Sequence, residues 1–134
     1  MHNDGGTEEQ LPRVLIVEDS KINRLVAMQL LKRAEVVGVE AESAERAIAA
    51  LQTVAFDLVL MDVQMPEMDG LEATRVIRAG KAGNRNREIP IIAMTAYATS
   101  EDEQACYEAG MTGYLTKPLS LQGFIDAVRS ALED

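Results

Sequence analysis

Along the chain, short apolar runs alternate with stretches of helical periodicity. Arg13-Val14-Leu15-Ile16-Val17 is a continuous apolar run of the kind a central parallel strand shows when both its faces are covered. It stops at Glu18-Asp19-Ser20, where Asp19 or Ser20 is placed to cap a helix reaching about Arg33. Ile22, Leu25, Val26 and Leu30 supply the apolar stripe expected of that helix. A weaker strand follows over 36–41, then a helix over 43–51 with Ser43 as cap. A third run, 57–61, delivers Asp62 and is broken by Pro66 and Asp69-Gly70. Residues 71–79 read as a helix, and 80–87 as a polar, mobile loop. The fourth strand, 89–94, tolerates Pro90 at its start and delivers Thr95-Ala96-Tyr97. Ser100-Glu101-Asp102-Glu103 has capping-box spacing and opens a helix that Gly110 closes. A short fifth strand over 113–116 delivers Lys117-Pro118. From about Ser120 a last helix puts Leu121, Phe124, Ile125, Val128 and Leu132 on one face.

Five strands alternating with five helices imply right-handed crossovers and a parallel sheet with helices on both faces. The first and third strands, the most continuously apolar, belong at its centre, and the second at an edge. A chain of 134 residues is one domain with an ordinary core. Residues 1–12, polar and Gly-containing, read as a flexible leader or linker, leaving 13–134 as the domain. Hydrophobic content of 47% with 4% aromatic and no Trp makes that core aliphatic. The net charge of −9 and pI near 4.6 argue against nucleic acid or an anionic membrane as a direct partner. The single Cys106 excludes an internal disulfide, fits a reducing compartment and has no activating base beside it, so it reads as a packed thiol. No apolar run approaches the ~20 residues of a membrane span and no secretory signal is present, so the expectation is a soluble cytoplasmic domain.

In such a sheet, ligands bind beyond the carboxyl ends of the strands, at the topological switch point. The first strand leaves Glu18 and Asp19 there, the third Asp62, the fourth Thr95 and the fifth Lys117. Three neighbouring carboxylates raise one another's pKa unless a cation sits among them. Oxygen ligands without His or Cys suit a hard cation, with Mg²⁺ favoured and Mn²⁺ the alternative. A lysine charge and a hydroxyl donor complete what phosphoryl transfer needs, and an aspartate can serve as its nucleophile. Asp62, at the end of the most buried strand, is the choice for that role. Singly, an acidic pair before a helix is usually a cap, and a Thr or Lys after a strand is usually solvated loop. Four strands ending in complementary groups make the pattern informative.

These residues also resemble the receiver domain of two-component response regulators, over residues 13–132. The matching segments are Val-Glu-Asp-Ser at 17–20, Leu-Met-Asp-Val-Gln-Met-Pro-Glu-Met-Asp-Gly at 60–70, Met-Thr-Ala at 94–96 and Gly-Tyr-Leu-Thr-Lys-Pro at 113–118. Asn23-Arg24-Leu25-Val26-Ala27 and the wording around Asp62 are most similar to receivers attached to hybrid histidine kinases. The resemblance implies a flavodoxin-like sheet of order 2-1-3-4-5. It implies that Asp62 accepts a phosphoryl group from a phosphohistidine on a histidine kinase or a histidine phosphotransfer protein, the domain catalysing its own phosphorylation and dephosphorylation. It also implies that the domain then changes conformation to control a partner or attached domain, or passes the phosphoryl group on in a phosphorelay. Mg²⁺ would be held by Asp19, Asp62 and the backbone carbonyl of Gln64, with Glu18 assisting through water. Lys117 would pair with the phosphoryl group, Thr95 would shift to hydrogen-bond it, and Tyr114 would turn inward as the aromatic switch. Gln64 and Tyr97 stand where the family tunes the lifetime of the acyl phosphate, and the Lys117-Pro118 bond is expected to be cis.

The resemblance also makes the face of helix four, strand five and helix five the partner surface and the face of a weak homodimer. It places the domain in the cytoplasm, alone or as the cytoplasmic part of a membrane-bound hybrid kinase. Two family glycines are missing, with Glu35 near one and Ala44 at the other, which bears on loop shape away from the pocket. The only histidine, His2, lies in the leader, so the phosphoryl donor is expected to be another domain, another protein or a small phosphodonor. A haloacid-dehalogenase-like phosphatase would place a second acid two residues after the nucleophile, where this chain has Gln64. Receiver-like modules that are not phosphorylated usually lack an acid or the lysine, and both are present here.

Overall fold

The computed structural model describes residues 11–133 of the chain. Among them five strands and five α-helices alternate: β1 (Arg13–Val17), α1 (Lys21–Arg33), β2 (Val37–Ala41), α2 (Ala44–Thr53), β3 (Leu58–Asp62), α3 (Gly70–Arg78), β4 (Ile91–Thr95), α4 (Ser100–Ala109), β5 (Gly113–Thr116) and α5 (Leu121–Glu133). All pairings are parallel and the order is β2-β1-β3-β4-β5. This is the doubly wound, flavodoxin-like sheet expected from the apolar runs. Every residue of β1, β3 and β4 except Arg13 is buried, whereas the edge strands β2 and β5 are largely half-exposed. Covering both faces of the inner strands removes any need for polar alternation, and their sequences show none.

Alternate side chains of the inner strands divide into two aliphatic cores. Leu15, Val17, Val59, Met61, Ile91 and Ala93 pack with Ala47, Leu51, Ala73, Ile77 and Cys106 of α2, α3 and α4. On the opposite face Val14, Ile16, Leu58, Leu60, Ile92 and Met94 pack with Ala27 and Leu31 of α1 and with Phe124 and Val128 of α5. Burial pushes the Cys106 thiol up, as befits a packed thiol. Helix α1 seats closely on β2 because residue 38 is glycine: a Cβ there would stand 2.8 Å from Leu31 Cδ1 and 2.9 Å from Met28 Sδ.

Several local expectations are corrected. The buried line of α1 is Ala27 and Leu31, continued by Ala34, while Ile22 is 72%, Leu25 50% and Val26 45% exposed. Of the expected stripe Leu30 stays packed against the core, and the other three are rotated out because α1 seats on β2 through Met28 and Leu31 at Gly38. Leu121 is exposed in the first turn of α5, while Phe124 and Val128 carry that helix's buried line. The cap of α4 is Thr99, one residue before Ser100; its hydroxyl accepts from the Asp102 amide at 3.1 Å and donates to the Asp102 carboxylate at 2.6 Å. The loop after α3 contains a 3-10 turn at Asn84–Asn86. It is pinned rather than loose, because the buried Asn86 amide donates to the carbonyls of Leu51 (2.9 Å) and Ala82 (2.8 Å). The Pro12 carbonyl accepts from the Val37 amide at 2.8 Å, so the end of the expected leader is tied to the sheet. Residues 1–10, including His2, lie outside the described residues.

Candidate functional site

Five strand-end residues meet at the carboxyl edge of the sheet. After β1 the chain turns at Glu18 and Asp19, and Ser20 caps α1 by accepting from the Asn23 amide at 3.3 Å. The Glu18 amide donates to the Ala41 carbonyl of β2 at 3.1 Å. Its carboxylate, 2% exposed, accepts from the Ser20 amide at 3.2 Å. Asp62 is the last residue of β3 and is equally buried. Beyond it the Val63 amide donates to Met94 of β4, and the Gly70 amide donates to the Val63 carbonyl, folding the loop back against the strand end. Asp69 caps α3 by accepting from the Glu72 amide at 2.9 Å. Gly70 makes this reversal possible, since a Cβ there would collide with the backbone carbonyl of Asp62.

Lys117 joins the acids. Its backbone amide donates to the Thr95 carbonyl at 2.7 Å, and its peptide bond to Pro118 is cis. Its ammonium donates to Glu18 Oε1 at 2.8 Å and to Asp62 Oδ1 at 3.2 Å. One oxygen from each of Glu18, Asp19 and Asp62 lies within 4.8 Å of the others. The structure therefore brings together four of the residues chosen from the sequence, Glu18, Asp19, Asp62 and Lys117. Thr95, the fifth, is buried beside them.

The electrostatics record the crowding. Burial and then the Glu18 carboxylate push the Asp62 carboxyl up to about 7, against the pull of Lys117. Burial also acts upward on Glu18, but hydrogen bonds with Lys117, Asp62 and the Ser20 amide, with the Lys117 charge, outweigh it and hold Glu18 low. Burial acts downward on Lys117, and its two carboxylate partners outweigh that and hold its pKa high. One ammonium thus serves two buried acids, and the negative charge exceeds the positive. Three carboxylates with no nitrogen or sulfur donor among them fit a hard divalent cation, which would relieve that excess. The Gln64 carbonyl accepts no hydrogen bond among the described residues, which leaves it free to act as a further oxygen ligand.

Thr95 and the tyrosines form a second hydrogen-bonded chain. The Thr95 hydroxyl donates to Gln64 Oε1 at 3.2 Å and accepts from the Tyr97 amide at 3.0 Å. The Tyr114 hydroxyl donates to the Tyr97 carbonyl. Gln64 also donates its amide to Asp62 Oδ1 at 3.3 Å, so it touches both the nucleophile candidate and the threonine. Tyr114 is half-buried against the α2–α3–α4 core, and Tyr97 is 57% exposed. Residue 97 links the two switch candidates through its backbone, a connection residue spacing cannot reveal.

Two groups around the site escaped the sequence reading. Ile22, Leu25 and Val26 make an exposed apolar margin on α1. Next to it a cavity of about 160 Å³ is lined by Glu18, Asn23, Val26, Met94, Lys117, Pro118 and Leu119. Arg24 is the other. Its guanidinium donates to the carbonyls of Glu18 (2.9 Å) and Asp19 (3.2 Å) and to Glu40 Oε1 (3.1 Å). A signal was available: a cation in the first turn of a helix opposes the macrodipole, and α1 carries no acid there to answer it.

Comparison with known proteins agrees with the geometry. The family model described as response regulator receiver domain matches residues 14–129. Sensor protein GacS of Pseudomonas syringae pv. syringae is 50% identical over 111 residues, which cover 81% of this chain and 12% of that protein. Histidine kinase 5 of Arabidopsis thaliana is 36% identical over 148 residues, covering 93% and 16%. The chain thus spans a small fraction of these relatives. Among solved structures, the receiver domain of a sensor histidine kinase from Pseudomonas aeruginosa, with a magnesium ion coordinated in its active site cleft, superposes with a TM-score of 0.83 at 31% identity, covering 92% of this chain and 98% of that one. Chemotaxis protein CheY4 of Vibrio cholerae superposes with a TM-score of 0.81 at 28% identity, covering 91% and 99%.

Proposed function

Because the chain belongs to the response regulator receiver domain family of two-component signalling, we propose that residues 13–134 are a phosphoacceptor switch with Asp62 as the acceptor. The observation that carries the reading is the shared Lys117 ammonium, which bridges Glu18 and Asp62 where three carboxylate oxygens converge. A carboxylate oxygen of Asp62 attacks the phosphorus of a phosphohistidine on a histidine kinase or histidine phosphotransfer protein. The new P–O bond forms as the P–N bond breaks, and its electron pair returns to the imidazole nitrogen. Asp19, Asp62 and the Gln64 carbonyl would hold Mg²⁺, or Mn²⁺ in its place, with Glu18 assisting through water. The bound cation supplies neutralisation of phosphoryl charge. Lys117 then exchanges part of its Glu18–Asp62 bridge for a phosphoryl oxygen.

Readout runs through the hydroxyl chain. Thr95 leaves Gln64 to donate to the phosphoryl group, which withdraws the acceptor from the Tyr97 amide and frees Tyr114 to turn inward. The added charge of roughly −1.5 to −2 biases an equilibrium between two states. Gln64 and Tyr97 tune how long the acyl phosphate survives. The α4–β5–α5 face is the output surface and the face of a weak homodimer. The apolar margin at Ile22, Leu25 and Val26 supports docking of the histidine-bearing donor, which must cover this rim to reach Asp62. Among the described residues no helix is long and apolar enough to cross a membrane. The domain works in the cytoplasm, alone or as part of a hybrid kinase.

The test is mass gain. Incubated with Mg²⁺ and a small acyl-phosphate donor, the wild type gains one phosphate and Asp62→Asn gains none. No gain in the wild type, or an equal gain in the variant, overturns the assignment.

A further inference from the structure

Asp19 presents a problem of placement. Its carboxylate is exposed and makes no hydrogen bond among the described residues, yet one of its oxygens lies within 4.8 Å of those of Glu18 and Asp62. Nothing attached to the side chain holds it there, so its position is set by the backbone of the turn after β1. That turn has few restraints of its own. The Glu18 amide is tied to β2 and the Ser20 side chain caps α1, but the carbonyls of Glu18 and Asp19 accept from no backbone amide among the described residues. Arg24 supplies both through one terminal nitrogen, at 2.9 and 3.2 Å. Its Nε is anchored in turn on Glu40 of β2 at 3.1 Å. The Arg24 side chain is only 13% exposed, which is unusual for an arginine and confines the guanidinium to this geometry.

We infer that Arg24 is a positioning residue for the cation site: with Glu40 it clamps the two carbonyls of the acidic turn and thereby fixes Asp19 and Glu18 in the spacing a divalent cation requires. The inference rests on the proposed cation site and adds a residue that touches neither cation nor phosphate. Groups behind metal ligands act in this way generally, and losing one typically weakens metal binding 10–100-fold. A lysine does not replace the clamp, because it presents a point charge in place of a planar fork.

The sign of the effect separates positioning from plain electrostatics. Arg24 is itself a cation near the site, so removing its charge without moving the turn leaves Mg²⁺ affinity unchanged or tighter. Positioning gives the opposite result. The experiment is a Mg²⁺ titration followed by amide NMR on the wild type, Arg24→Met, Arg24→Lys and Glu40→Gln, with each protein confirmed as folded by its own spectrum. Arg24→Met keeps the apolar stem and removes the donors, and its affinity for Mg²⁺ is expected to fall about 10–100-fold. Arg24→Lys falls between that variant and the wild type. Glu40→Gln keeps an acceptor for Nε and stays near the wild type.

Wild-type affinity, or tighter binding, in folded Arg24→Met overturns the inference while leaving the phosphoacceptor reading intact. Should Arg24→Met fail to fold, Arg24→Lys decides, and binding equal to the wild type overturns the inference. A wild type whose Asp19, Asp62 and Lys117 amides do not respond to Mg²⁺ overturns the cation site and the role of Arg24 together.

Discussion

Asp62→Asn isolates what the crowded carboxylates cost the fold. Burial, and then Glu18, push the Asp62 carboxyl to about 7 from an ordinary 3.8. A carboxyl raised in the folded state contributes stability that is complete below 3.8 and is lost as pH climbs through about 7. Within that window the folded protein keeps a proton that the unfolded chain has released. The loss accrues at about 1.4 kcal/mol for each pH unit. Between pH 5 and the plateau just above 7, Asp62 therefore removes about 3 kcal/mol from the wild type. The asparagine variant resembles the protonated acid and does not titrate, and the groups that share charge with Asp62, Glu18 held low and Lys117 held high, titrate outside this window. Relative to the wild type, the variant should gain about 3 kcal/mol on going from pH 5 to pH 8, or about 10 °C in Tm at this chain length. Thermal unfolding of both proteins by circular dichroism at the two pH values, in chelator, measures it. Millimolar Mg²⁺ at pH 8 should close much of the gap by stabilising the wild type. A Tm difference that stays flat from pH 5 to 8, or one that narrows as pH rises, refutes the electrostatic reading of Asp62.

Three further outcomes are expected. Ile22→Glu puts a charge on the exposed margin of α1. It should slow phosphotransfer from a phosphorylated histidine phosphotransfer domain by about tenfold or more, as loss of an interface anchor does, while leaving labelling by a small acyl phosphate unchanged. Asn86→Ala strips donors from the carbonyls of Leu51 and Ala82 and should cost about 2–3 kcal/mol in urea unfolding. Glu35, at φ 63° just past the end of α1, occupies a left-handed position that favours glycine. Glu35→Gly should add about 1 kcal/mol, read as a higher urea midpoint at unchanged slope.

The Glu35 conformation gives a physical meaning to the missing glycine noted in the sequence, since the turn keeps its left-handed shape and bears the strain. Glu67, at φ 66° in the loop after Asp62, is a second such position, and its sequence gave no warning. Ser100 was legible as a cap only to within one residue, because Thr99 also has an acid three positions on.

What the sequence determined by itself was the alternation of apolar runs and helical stretches, and with it the sheet. Strands covered on both faces must be apolar throughout, so β1, β3 and β4 announce themselves, and each one's last residue is then known to lie at the same edge. Asp62, Glu18, Asp19 and Thr95 could therefore be assigned to one edge from the chain alone, and Lys117 joins them by following the fifth strand. Tertiary structure alone decided which face of α1 is buried, because a helix resting on Gly38 through Met28 and Leu31 turns its Ala27–Leu31 line inward and leaves Ile22, Leu25 and Val26 outside. It alone decided that burial and then Glu18 hold Asp62 near 7 against the pull of Lys117, while Lys117 holds Glu18 low. It alone joined Arg24 to Glu40, 16 residues away, across the back of the acidic turn. Hydrophobic period is a local property written in the order of residues. Proton sharing and carbonyl clamping depend on distances of about 3 Å between segments that meet only when the sheet has closed.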